Sequence, residues 1–116
     1  MLLRIDQSST TPLFEQLAAS IRAAAISGSV KAGERLPAAR ELAESLDINV
    51  HTVLRAYQML RDEGLVDLRR GRGAVLTDRA ARYSQLSAAI DAVVAEARIL
   101  ELSPDTVAAL LREALR

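Results

Sequence analysis

Three arginines crowd the run Arg69-Arg70-Gly71-Arg72-Gly73, and upstream of it His51, Arg55 and Gln58 recur at intervals of four and three residues. Like charges packed this closely repel one another and contribute nothing to a fold. Beside a phosphate backbone, or inside a narrow minor groove, the same arginines are attracted. His, Arg and Gln side chains carry the donors and acceptors that base edges require, and Arg or Gln can pair with a base through two hydrogen bonds at once. Other chemistry is poorly supplied. The chain has a single His, no Cys, no Gly-x-Ser-x-Gly elbow and no phosphate loop, so neither nucleophilic catalysis nor a thiolate metal site is expected, and no cofactor is implied. Gly71-Arg72-Gly73 lacks the spacing and the strand-to-helix setting of a dinucleotide fingerprint.

These residues need elements to aim them. Leu36-Pro37 opens a short helix with Leu42, Ala43 and Leu46 at helical intervals, and Asp47 falls where a tight turn must reverse the chain. Asn49 starts a second helix as its N-cap, with the N–H of Thr52 as the expected donor and Ile48 and Val53 as a hydrophobic staple. Gly64 supplies a left-handed stop. Projected at 100 degrees per residue, Val50, Val53, Tyr57 and Leu60 fall on one side of this helix, and His51, Arg55, Gln58 and Asp62 on the other. One face packs and the other is free to read. Leu65 to Leu68 and Ala74 to Thr77 are then expected to pair as a hairpin around the basic turn. Helix, tight turn, helix and basic hairpin together suggest a reader of double-stranded DNA.

The same residues resemble the GntR family of bacterial winged helix-turn-helix regulators. PLFEQL (12–17), LPAARELA (36–43), EGLV (63–66) and RRGRG (69–73) stand where that family has its N-terminal, helix-turn-helix and wing motifs. NVHTVLRAY (49–57) is similar to the pattern of the small YtrA-like branch. The resemblance covers about residues 10 to 78. It implies DNA contacts from Arg40, from Asn49, His51, Thr52 and Arg55, and from Arg70, Gly71 and Arg72. It departs at Val50 and Leu54, where many members have Arg, so a base contact made there by larger relatives is not carried over. Ala38 replaces a frequent Ser and loses one half of a Ser-x-x-Glu capping box, at a cost of about 1 kcal/mol of helix stability. Arg40 stands in the first turn of its helix, against the positive end of the macrodipole, a placement that a bound phosphate would reverse. The plain alternative is an ion pair with Glu44.

The first helix is expected over Pro12 to Ser27, capped by Thr11 and stopped by Gly28, with Phe14, Leu17, Ile21 and Ala25 as its buried stripe. Met1 to Thr10 reads as an extended arm whose Leu2, Leu3 and Ile5 pack on a neighbour or on the body. From Asp78 to Glu101 there is neither Gly nor Pro, and Tyr83, Leu86, Ile90, Val93, Ala97 and Leu100 recur at 3, 4, 3, 4, 3 spacing, a seam. Ser103-Pro104 then caps a last helix with Val107, Leu110, Leu111 and Leu115 on one stripe. Two short helices do not bury such stripes alone, and a second copy of the chain is the expected partner.

The expected architecture is mainly α with a small β-hairpin: a winged helix-turn-helix domain with its arm over 1–78, then a two-helix dimerisation tail over 79–116. A large ligand-binding domain is not expected behind the first domain in 116 residues, and if a small-molecule effector binds, its expected place is the dimer seam or the junction near Arg79, Arg82 and Tyr83. The chain is formally neutral, with ten basic and ten acidic residues through Asp78 and five of each after it, so a local arginine field must attract DNA. No signal-like or long apolar run is present, and the expectation is a cytoplasmic protein without a membrane partner. The expected function is a homodimeric, sequence-specific transcriptional regulator, a repressor on an inverted-repeat operator, which the YtrA-like resemblance links to a transporter operon. An enzyme is not expected. The rival is a protein interaction module on the same scaffold.

Overall fold

A computed structural model describes residues 3–116, with the side chains of Ala81 and Ser84 excepted. The elements are α1 (Leu13–Ser27), α2 (Ala39–Leu46), α3 (Val50–Asp62), β1 (Val66–Arg69), β2 (Gly73–Leu76), α4 (Arg79–Ile99) and α5 (Pro104–Ala114). They form two compact units, Met1–Ser84 and Gln85–Arg116.

In the first unit α1 and α2 both pack on α3. Leu17, Ile21, Val53, Leu60, Leu65 and Val66 are its most deeply buried large side chains. Phe14, expected in that core, is only partly buried at its edge. The cap of α1 also differs: Pro12 rather than Thr11 precedes the helix, with no side-chain cap. Thr11 is occupied otherwise, its carbonyl accepting from Gln16 Nε2 at 2.8 Å.

The N-terminal arm lies on its own body. Leu3 and Ile5 pack against the core, and Gln16 clamps Asp6, with Oε1 accepting from its N–H at 2.8 Å and Nε2 donating to its carbonyl at 3.0 Å. Leu2 lies outside the described residues. The turn of Asp6 is closed by the Ser8 hydroxyl and N–H, which hold its carboxylate below the usual range.

α2 ends at Asp47, which takes a left-handed φ of 55°. The Ile48 N–H reaches back to the Ala43 carbonyl (3.0 Å) and the Asp47 N–H to Glu44 (3.3 Å), so the orphan carbonyls of the last turn are satisfied while the chain reverses. Gly64 closes α3 in the same way, with Leu65 N–H on the Leu60 carbonyl at 3.0 Å. That bond explains why the hairpin starts one residue later than expected. Leu65 is spent on ending the helix, and the strands pair from Val66↔Leu76 to Arg69↔Gly73.

A feature absent from the sequence reading is a third edge to this sheet. Gly33–Leu36 runs along β2, with Gly33 N–H on the Leu76 carbonyl (2.8 Å), Leu76 N–H on the Glu34 carbonyl (2.9 Å) and Leu36 N–H on the Ala74 carbonyl (2.8 Å). The segment thereby covers the outer edge of β2.

In the second unit α5 is capped as expected, Ser103 Oγ accepting from the Thr106 N–H at 3.1 Å. None of its residues is buried. No helix among the described residues is long and apolar enough to cross a membrane.

Candidate nucleic-acid interface

α3 presents the donor-bearing face that its sequence predicts. Val53, Ala56, Tyr57 and Leu60 are buried, Val50 is partly so, and His51, Leu54, Arg55, Gln58 and Asp62 are exposed. Asn49 caps the helix, but its Oδ1 accepts from the His51 N–H at 2.8 Å rather than from Thr52. Thr52 N–H is taken by the Asn49 main-chain carbonyl at 3.0 Å, which leaves the nearer amide for the side chain. Asn49, His51 and Thr52 therefore share one ordered helix start.

Arg55 is exposed but not loose. Its guanidinium lies over the Phe14 ring, 3.8 Å from the centroid, a cation–π contact that turns it toward α1. This partner was not legible beforehand: a helical projection assigns a face, whereas the reach of an arginine depends on what the next helix offers.

Tyr57 fixes α3 against the start of α2. Its hydroxyl donates to the Pro37 carbonyl at 2.6 Å, and burial pushes its pKa up to about 12, so the phenol stays protonated throughout the physiological range. Arg22 of α1 grips Glu63 at the end of α3 with both carboxylate oxygens engaged, at 3.0 and 2.8 Å. Both side chains remain about a third exposed, so this fork fixes geometry more than it adds stability.

Arg40 is exposed in the first turn of α2. Among the described residues no ion pair joins it to Glu44. At the hairpin tip Arg72 N–H bonds the Arg69 carbonyl at 3.1 Å, and Gly71 in the turn's third position takes φ 80°, which a side chain would resist. Arg69 pairs with Asp67 at 3.4 Å. Arg70 and Arg72 are exposed, and among the described residues no ion pair neutralises either of them. Arg35, which sequence reasoning passed over, donates from Nε to the Arg72 carbonyl (2.7 Å) and from Nη2 to the Gly71 carbonyl (3.3 Å).

The expected seam divides. Tyr83 packs against the core of the first unit, its hydroxyl donating to the Glu63 carbonyl at 3.2 Å, and the Arg79 guanidinium stands 5.8 Å from its ring. Leu86, Ile90 and Val93 are exposed on α4, Ala97 is partly exposed, and Leu100 lies just past the helix end. The cause at that end is Glu101, whose left-handed φ of 55° lets the Leu102 N–H close on the Ala97 carbonyl at 2.9 Å. No group of acidic, His or Cys side chains that could hold a metal ion occurs among the described residues.

Comparison with known proteins agrees with this arrangement. The family described as "Bacterial regulatory proteins, gntR family" matches residues 13–76. The HTH-type transcriptional repressor YtrA of Bacillus subtilis is 37% identical over 79 residues, spanning 68% of this chain and 61% of that protein. An HTH-type transcriptional regulator of Mycobacterium tuberculosis is 33% identical over 101 residues, 87% of this chain and 84% of its own length. Among solved structures, YtrA from Sulfolobus acidocaldarius, a GntR-family transcription factor, superposes with a TM-score of 0.64 at 35% identity, covering 82% of this chain and 99% of that one. The three helices, the arginine-tipped wing and these matches over more than half of the sequence carry one conclusion: the chain belongs to the GntR family of DNA-binding transcriptional regulators.

Proposed function

We propose that the protein is a homodimeric, sequence-specific repressor that binds an inverted-repeat operator, with the start of α3 in the major groove and the wing on the adjacent backbone or minor groove. The observation that carries the reading is the pairing, within one unit, of an ordered and exposed α3 face with a wing tip bearing the exposed Arg70 and Arg72. In this reading His51 and Arg55 contact base edges, and Asn49, Thr52 and Arg40 hold the helix ends against phosphates. Arg70 and Arg72 attract phosphate, while Gly71 lets the backbone approach closely. Leu86, Ile90, Val93 and Ala97 join two copies, so that two winged units, one in each half, meet half-sites about 34 Å apart. The likeness to the HTH-type transcriptional repressor YtrA supports repression, and the YtrA-like pattern of residues 49–57 is what suggests a transporter operon as the target.

Genome-wide mapping of the tagged protein tests this reading. Enrichment at a small set of promoters sharing one inverted repeat, with increased transcription when the gene is deleted, is the expected result. An absence of enriched sites would sink sequence-specific binding, and enrichment at single half-sites would sink the dimeric mode.

A further inference from the structure

Arg35 is exposed, yet its guanidinium does not extend into solvent. It donates to the Arg72 carbonyl at 2.7 Å and to the Gly71 carbonyl at 3.3 Å, two successive peptide groups of the wing tip. Its own backbone is paired with Val75 of β2. Two residues further on, the Pro37 carbonyl accepts the Tyr57 hydroxyl at 2.6 Å. Arg35 to Pro37 is therefore a strut, bonded at one end to the wing tip and at the other to the recognition helix.

We propose that Arg35 is the positioning residue of the wing, setting the tip so that Arg70 and Arg72 meet DNA together with α3. The inference rests on the reading of the wing as a DNA contact. Without a brace, this tip is the part of the hairpin least able to hold one shape. It has glycines of positive φ at Gly71 and Gly73 and no buried side chain between Arg69 and Gly73. By charge alone Arg35 would make matters worse, adding a cation beside two others. Its directional bonds offset that: the planar fork occupies two successive carbonyls, and the tip is ordered before DNA arrives, so less freedom is lost on binding. A lysine has the same charge but is a point donor and does not reproduce two fixed bonds.

The distinction between a positioning group and one more phosphate-facing charge gives the test. The full chain is titrated with a fluorescein-labelled duplex of random sequence over a range of salt concentrations. Wild type is compared with Arg35→Lys, Arg35→Ala, the pair Arg70→Ala with Arg72→Ala, and the Arg35 changes combined with that pair. Both Arg35 variants are expected to bind about tenfold more weakly. Arg35→Lys should also show a shallower salt dependence despite its unchanged charge, because the wing no longer displaces its counterions. In the wing-less pair, changing Arg35 should have almost no further effect. Faster hydrogen exchange at the Gly71 and Gly73 amides of free Arg35→Lys, with unchanged circular dichroism, would place the effect at the tip. Wild-type binding by Arg35→Lys, or an undiminished loss in the wing-less background, would overturn the proposal and make Arg35 an independent charge. A wild-type protein that binds no duplex at all would instead overturn the DNA-contact reading on which it rests.

Discussion

A buried hydroxyl must find an acceptor, and in this protein the one that does so sets the distance between the two helices of the helix-turn-helix. Tyr57 donates to the Pro37 carbonyl and has its pKa pushed up to about 12 by burial. Tyr57→Phe should cost about 1 kcal/mol at neutral pH, the typical net value of one hydrogen bond. The pH dependence has a definite sign. The folded pKa is raised above the unfolded value of about 10, so the stabilisation is complete below pH 10 and is lost as pH rises through 12, by about 2 to 3 kcal/mol. Urea titrations across that window should show a smaller alkaline loss in Tyr57→Phe than in wild type; equal losses would mean that Tyr57 is not the group responsible. Arg55 poses a different question, because stacking on Phe14 serves as a brace and also presents a donor beside the reading face. Selection of duplexes from a random pool decides between these roles. Arg55→Ala should relax the choice at one position in each half-site by about 1 to 3 kcal/mol, whereas an unchanged selected sequence would leave Arg55 a brace alone.

The element boundaries follow from capping chemistry, and that is why most were legible in the sequence. Gly28, Gly64 and Ser103-Pro104 each stop or start a helix for a local reason that no distant contact had to supply. The edge segment Gly33–Leu36, an isolated bridge rather than a strand, was not legible, since its pairing with β2 uses only main-chain groups and the four residues show no alternation of apolar and polar side chains. Arg35 was missed for the same cause: nothing local says that a loop arginine is laid against a hairpin thirty-odd residues away. The start of α2 is the element end most open to improvement. Ala38 precedes the helix with no side-chain cap, while Glu41 already occupies the third helical position. Ala38→Ser should complete a capping box and stabilise the first unit by about 0.5 to 1 kcal/mol, measured by thermal unfolding. A destabilised variant would indicate that the Ala38 methyl packs more usefully than a hydroxyl can bond.

At the level of the whole molecule, a formally neutral chain has to hold a polyanion by a few local cations. In the dimer we propose, pairing two chains doubles those cations, and the second half-site is then met at a high effective concentration. The sequence pattern of the tail predicts a seam from Tyr83 to Leu100, but periodicity alone does not say which of those side chains stay exposed on α4. Tyr83 is drawn into the first unit by the Glu63 carbonyl, and Leu100 falls beyond the helix because Glu101 turns the chain. The seam we propose is thereby reduced to Leu86, Ile90, Val93 and Ala97, of which Leu86 is 57% and Ile90 49% exposed. Replacing Ile90 and Val93 by Glu places like charges across any two-fold seam and removes its apolar contacts. Sedimentation velocity should then find monomers with an unchanged helix content, and affinity for a two-half-site duplex should fall about 100-fold while affinity for a single half-site stays the same. A dimer that survives both substitutions would move the interface toward α5, where Leu110 and Leu111, with Leu115 just past the helix end, are also exposed.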